Sequence, residues 1–145
     1  MRDCIGYLSL CGLLLLSSCS KKESVTAPET SKVAGQWLLV SVSNADGSSV
    51  SLSANDSIKV IFSDTGSVVG IASSQCCNRF TGKYEVTEGS QIKFTALSST
   101  EAACTNSVYW QAYDVVGNAS RYEQSISLTI YDSRSASSIR FNRIQ

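Results

Sequence analysis

Apolar and polar residues alternate along most of the chain. Across Ser57–Ser63, Ile58, Val60 and Phe62 fall on one face and Lys59 and Ile61 on the other. That period of two marks a half-buried strand. Asp64-Thr65-Gly66 makes a tight turn, and Ser67–Ala72 returns as the partner strand. Gly70 inside it signals a bulge or a close backbone approach. Upstream, Gln36–Val42 reads as a first strand behind Gly35, with Trp37 as a core anchor. Ser43–Asp56 reads as a polar loop that turns at Asp46-Gly47. Lys83–Val86 and Gln91–Thr95 form a second hairpin about Thr87–Ser90, with Ile92 and Phe94 inward.

The pattern then changes period. Across Thr105–Asn118, Val108, Ala112 and Val115 share a face with Tyr109 and Val116, the spacing of a helix. Thr105 or Asn106 caps its start and Gly117-Asn118 stops it. Trp110 and Tyr113 widen the apolar side and are assigned to the core rather than to a binding stripe. Extended structure resumes at Ser120–Gln124. Ser125–Tyr131 follows with Ile126, Leu128 and Ile130 inward, and Ser138–Asn142 closes with Ile139 and Phe141 inward. The expected fold is mainly β: an antiparallel, barrel-like sheet of about seven or eight short strands, with one helix late in the chain packed across an open end.

The N-terminus follows neither pattern. Ile5–Leu16 is mostly apolar and ends in Leu13–Leu16. As a helix this run rises about 18 Å, short of a hydrocarbon core of about 30 Å. It reads as a signal peptide over residues 1–18, removed from the mature protein. Leu16-Ser17-Ser18-Cys19 is similar to the bacterial lipobox. That resemblance implies acylation of Cys19 and attachment to a membrane through its acyl chains. Plain cleavage beside an incidental cysteine is the alternative. Residues 19–32 are then a lipidated cysteine and a polar, flexible tether containing Pro28, the chain's one proline, and residues 33–145 form the folded domain. Serine rather than aspartate at position 20 leans the location toward the outer membrane, on its periplasmic side.

Composition removes several functions. Twelve basic residues balance twelve acidic ones, so nothing electrostatic favours a nucleic-acid partner. Histidine is absent, which takes away the usual general base and the commonest neutral metal ligand. The serines and cysteines therefore lack the histidine partner of a nucleophile. Asp64 and Asp132 sit at turns and read as turn formers. No catalytic set, metal site or cofactor is expected. Asn55-Asp56-Ser57 and Asn118-Ala119-Ser120 match glycosylation sequons, read here as accidental.

Between the strands lies a denser motif, Cys77-Asn78-Arg79-Phe80-Thr81-Gly82-Lys83-Tyr84, followed by Thr100-Glu101-Ala102-Ala103-Cys104. With the Gly35-Gln36-Trp37 opening, it resembles the META domain, the HslJ-like family. The resemblance spans Val33 to Ile144 and implies a compact, mostly antiparallel barrel-like domain with a helix. It singles out Cys77, Asn78, Arg79, Phe80, Gly82, Tyr84, Thr100 and Cys104. Cys76 departs from it, because the family has glycine there.

In an oxidising compartment a Cys77–Cys104 disulfide is expected, with Cys76–Cys104 as the rival pairing and free buried thiols as the alternative. Such a bridge closes a loop of about 28 residues and contributes roughly 3–4 kcal/mol. Asn78, Arg79 and Phe80 read as a structural turn: the amide bonds nearby backbone, the guanidinium caps carbonyls and the ring fills the core. A ligand patch is the competing reading. The family is associated with heat shock, envelope stress and drug tolerance. The expected function is therefore a non-enzymatic envelope lipoprotein, a binding or accessory module for envelope integrity or stress tolerance. Its partner would be a small apolar ligand or an envelope protein. A secretin-pilot-like chaperone and a purely structural envelope protein are the alternatives. A ligand shell requires an apolar cavity; a pilot requires an exposed apolar groove.

Overall fold

The computed structural model describes residues 30–53, 56–72, 78–102 and 107–145. Its elements run α1 (Thr30–Val33), β1 (Gly35–Ser43), β2 (Ser49–Ser51), β3 (Ile58–Phe62), β4 (Ser67–Ala72), β5 (Arg79–Thr87) and β6 (Gln91–Ser99). Then come α2 (Ser107–Gly117), β7 (Ala119–Gln124), β8 (Ser127–Asp132) and β9 (Ser138–Arg143). The strands form one antiparallel sheet in the order β2-β1-β3-β4-β5-β6-β7-β8-β9, and β1 also pairs with β9. Eight strands thus close a barrel and β2 hangs outside it on β1. A barrel of eight strands has an interior about wide enough for side chains to fill. Here Trp37, Leu39, Val60, Phe62, Leu128 and Phe141 fill it, all buried. Each such side chain contributes about 1.5–3 kcal/mol through the apolar surface it removes from water.

Antiparallel order sorts the connections into two ends. The start of β1, the β3–β4, β5–β6 and β7–β8 turns and the end of β9 share one end. The links from β4 to β5, from β6 to α2 and from β8 to β9 share the other. At the first end α1 is fastened down. Val33 is fully buried, its carbonyl accepts from Trp37 Nε1 at 2.9 Å, and Arg143 Nη2 donates to the Ala34 carbonyl at 2.8 Å. Arg143 also lies over the Trp37 ring, 4.9 Å from its centroid.

The barrel wall is not uniform. β6 and β7 pair at one position, Gln91 with Arg121, beside a bond from Tyr122 N to Ser90 O. α2 runs along the gap that follows. The Tyr109 hydroxyl is hydrogen bonded to Ser99 Oγ at 2.7 Å, and Tyr109, Ala112, Val115 and Val116 are buried beneath the helix.

The alternation of β3 and β9 faces the core as expected, with Ile58, Val60, Phe62, Ile139 and Phe141 buried. Four expectations change. Ile126 is 93% exposed, not inward. Gln124 pairs with Leu128 and Ser125 N bonds Ser127 O, so the strand starts two residues later, at Ser127, and Ile126 is the apex of the turn. Trp110 is 39% exposed on the outer side of α2, edge-on to Tyr109 and Tyr113, rather than in the core. The Ser43–Asp56 loop contains β2, whose polar Ser-Val-Ser pattern carries no burial signal. β6 runs to Ser99, past a bulge opposite Gly82 where Ala96 takes φ 50°.

Candidate functional site

The motif residues converge where the start of β5 meets the segment after β6. Asn78 is buried, and its Oδ1 accepts from Ala102 N at 2.8 Å and from Thr100 Oγ1 at 3.4 Å. Thr100 Oγ1 also accepts from Arg79 N at 2.9 Å, while Thr100 N donates to Arg79 O at 2.9 Å. Asn78 O accepts from Ala72 N at 3.0 Å, which adds the end of β4. One asparagine and one threonine thus tie together the end of β4, the start of β5 and the segment after β6. Asn78 Nδ2 is buried without a hydrogen-bond partner among the described residues. Arg79 is exposed, and its guanidinium bonds no carbonyl among the described residues.

Further along β5 the motif packs. The Phe80 ring lies across Gly70 of β4, where an added Cβ would sit 1.9 Å from Cε1. Gly70 is thus a close approach and not a bulge. A Cβ on Gly82 would lie 2.7 Å from Leu97 Cδ2, so this glycine makes room for the β6 bulge. The Tyr84 hydroxyl donates to Ser63 O at 2.6 Å, and its ring meets Phe62 edge-on at 5.1 Å. Burial, helped by the Asp64 carboxylate, pushes the Tyr84 phenol up to about 12. Cys19, Cys76, Cys77 and Cys104 lie outside the described residues.

A second feature was not legible beforehand. Where β6 and β7 part, an open cleft of about 500 Å³ is lined by Glu85, Thr87, Lys93, Phe94, Asn118 and Ser120, among others. Its walls are well braced. Asn118 caps α2, with Nδ2 donating to Asp114 O at 2.7 Å, and its own carbonyl accepts from Ser133 N at 2.8 Å. Arg134 holds both carboxylate oxygens of Asp114, at 3.0 and 3.1 Å. On the outer wall, Glu85 and Lys93 are cross-strand neighbours. Gly117-Asn118 was readable as a helix stop. Its place across from β6 depends on tertiary pairing that no local pattern encodes.

Outside the cleft, Arg121, Glu123 and Tyr131 form a small surface cluster. Arg121 pairs with Glu123 and lies 3.8 Å over the Tyr131 ring, and the Tyr131 hydroxyl donates to Glu123 at 2.8 Å. These bonds, Tyr131 first and then Arg121, hold the exposed Glu123 carboxyl below its usual range. Among the described residues, no three carboxylate, cysteine or histidine side chains converge on a metal position, and no helix is long and apolar enough to cross a membrane.

These features define a class: a closed antiparallel barrel with a helix set into its one weak seam. Within that class the chain belongs to the META domain family, whose model matches residues 30–138. Two solved structures share the fold. A protein from Burkholderia xenovorans, solved by NMR, is 14% identical with a TM-score of 0.57, over 100% of this chain and 99% of its own. A DUF4847 family protein from Bacteroides vulgatus, a crystal structure, is 12% identical with a TM-score of 0.54, over 77% of this chain and 93% of its own. No curated protein matches.

Proposed function

We propose that this META family member is a lipid-anchored accessory module of the bacterial cell envelope, without a catalytic role, that offers the cleft between β6, α2 and β7 to a protein partner. The observation that carries this reading is a division of labour. Asn78, Phe80, Gly82, Tyr84 and Thr100 are spent on joining strands and filling the core, so the motif is a scaffold and not a reacting centre. The cleft has no such structural duty. Its lining combines Ile92 and Phe94 with Glu85, Lys93 and Ser120, a mixture suited to another protein's surface. Side chains fill the barrel interior, which favours a partner held outside over an apolar molecule held within. The open cleft likewise favours the pilot-like alternative over the ligand shell. Cys19 supplies the membrane attachment, and support of envelope integrity under stress is the role.

The test is to fill the cleft. Ser120 is exposed on its rim, so Ser120→Trp obstructs it without entering the core. The lipidated wild-type chain carries a stoichiometric protein partner on gentle extraction, and the variant loses it while keeping its far-UV circular dichroism. Equal partner occupancy in both, or no partner on the wild type, overturns the reading.

A further inference from the structure

The tether and one unusual hairpin emerge at the same end of the barrel. Three strand-to-strand turns lie there. Asp64-Thr65-Gly66 and Glu88-Gly89-Ser90 have the polar and glycine residues that turns favour. The third, between β7 and β8, puts Ile126 at its apex. A β-branched residue there has no conformational advantage, and at 93% exposure it has no packing role either. The next most exposed large apolar residue among those described, Ile71, stands at 42%, so Ile126 is in a class of its own. Lys32, where the tether joins the fold, lines a shallow groove of about 400 Å³ together with Ser90, Tyr122, Gln124 and Ser125. The chain that leads back to Cys19 therefore leaves the barrel beside the turn that carries Ile126.

We propose that the barrel stands on this end and that Ile126 enters the interfacial layer of the bilayer to which Cys19 is attached. The inference rests on the lipid-anchor reading. Ten residues separate Cys19 from Thr30. Fully extended they span at most about 36 Å, so the hairpin stays within one tether length of the lipid. Anchoring makes the contact intramolecular, and one apolar side chain then suffices where a free protein would need several. Charge is not the attraction. Lys32 and Arg143 at this end are matched by Asp64 and Glu88 on the neighbouring turns. The occupant is a lipid surface reached through apolar contact, and the contact is insensitive to salt.

The test uses the acylated full chain, purified from its own envelope and reconstituted into phosphatidylethanolamine–phosphatidylglycerol vesicles. A photoreactive benzoylphenylalanine replaces Ile126 in one sample. In another it replaces Ala136, which is exposed on the β8–β9 turn at the opposite end. Irradiation gives a lipid adduct by mass at position 126 and none at 136, in low and high salt alike. A vesicle-bound, acylated chain with no adduct at 126, or with equal adducts at both positions, overturns the inference and leaves the anchor standing. A chain that carries no acyl group and stays in the supernatant overturns the anchor and the inference together.

Discussion

Gly70→Ala tests the packing at the centre of the motif. Gly70 and Phe80 are cross-strand partners, so their backbones are held by the β4–β5 ladder. A Cβ on residue 70 would lie 1.9, 2.2 and 2.5 Å from three carbons of the Phe80 ring, where ordinary contact begins at 3.4 Å. The ring must retreat by about 1.5 Å. It is buried, with the Tyr113 ring 6.0 Å away. Overpacking of this kind costs about 1–3 kcal/mol. Replacing a strand glycine by alanine returns about 0.5–1 kcal/mol through lost chain freedom in the unfolded state. The steric effect wins, and the net loss is about 1–2 kcal/mol, or roughly 4–8 °C in Tm for a domain of this size. Urea unfolding followed by tryptophan fluorescence reads this as a lower midpoint at unchanged slope. Phe80→Leu alone also destabilises, but the double variant loses less than the two losses added together, by at least about 0.5 kcal/mol. Gly70→Ala as stable as wild type, or strict additivity in the double variant, refutes the reasoning.

Asn78→Ala removes the buried carboxamide that accepts from Ala102 N and Thr100 Oγ1 and lowers unfolding stability by about 1–3 kcal/mol, whereas Arg79→Ala at the exposed neighbouring position stays within about 0.5 kcal/mol of wild type, both by urea titration. The folded Tyr84 phenol titrates at about 12 against an unfolded 10.0, so its contribution is intact below pH 10 and is lost as pH rises from 10 to 12. Tyr84→Phe removes that part of the alkaline loss in a series of unfolding curves; Tyr109 and Tyr131, also pushed up by burial, keep theirs. Ala96→Gly relieves a left-handed backbone at φ 50° and raises the unfolding midpoint, by up to about 1 kcal/mol. Ile126→Ser leaves the midpoint within about 0.5 kcal/mol, because the side chain packs against nothing.

Local periodicity carried the strands and the helix. Ile58, Val60 and Phe62 announce their face because one side of that hairpin is core. Ile126 has the same parity as Leu128 and Ile130, yet the β7–β8 turn comes between them, and a turn breaks the alternation without changing the residues. Ser49–Ser51 is exposed at all three positions, so no apolar pattern marks it. Gly70 was legible as a close approach, but its partner Phe80 comes from a register that only the folded sheet defines. Asn78 was readable as a residue that bonds backbone; that the backbone is Ala102, beyond the whole of β6, is a long-range fact. The cleft was not legible, because it exists only where β6 and β7 part company after one pairing.

The central claim is a lipid-anchored module with a protein partner at its cleft. Native mass spectrometry of the wild-type chain, extracted gently from its own envelope without reductant, tests it most directly. The account predicts a chain beginning at Cys19, heavier by three acyl groups, in a complex of fixed stoichiometry with another envelope protein. An unmodified chain still beginning at Met1, or an acylated chain that is bare of partners, contradicts it.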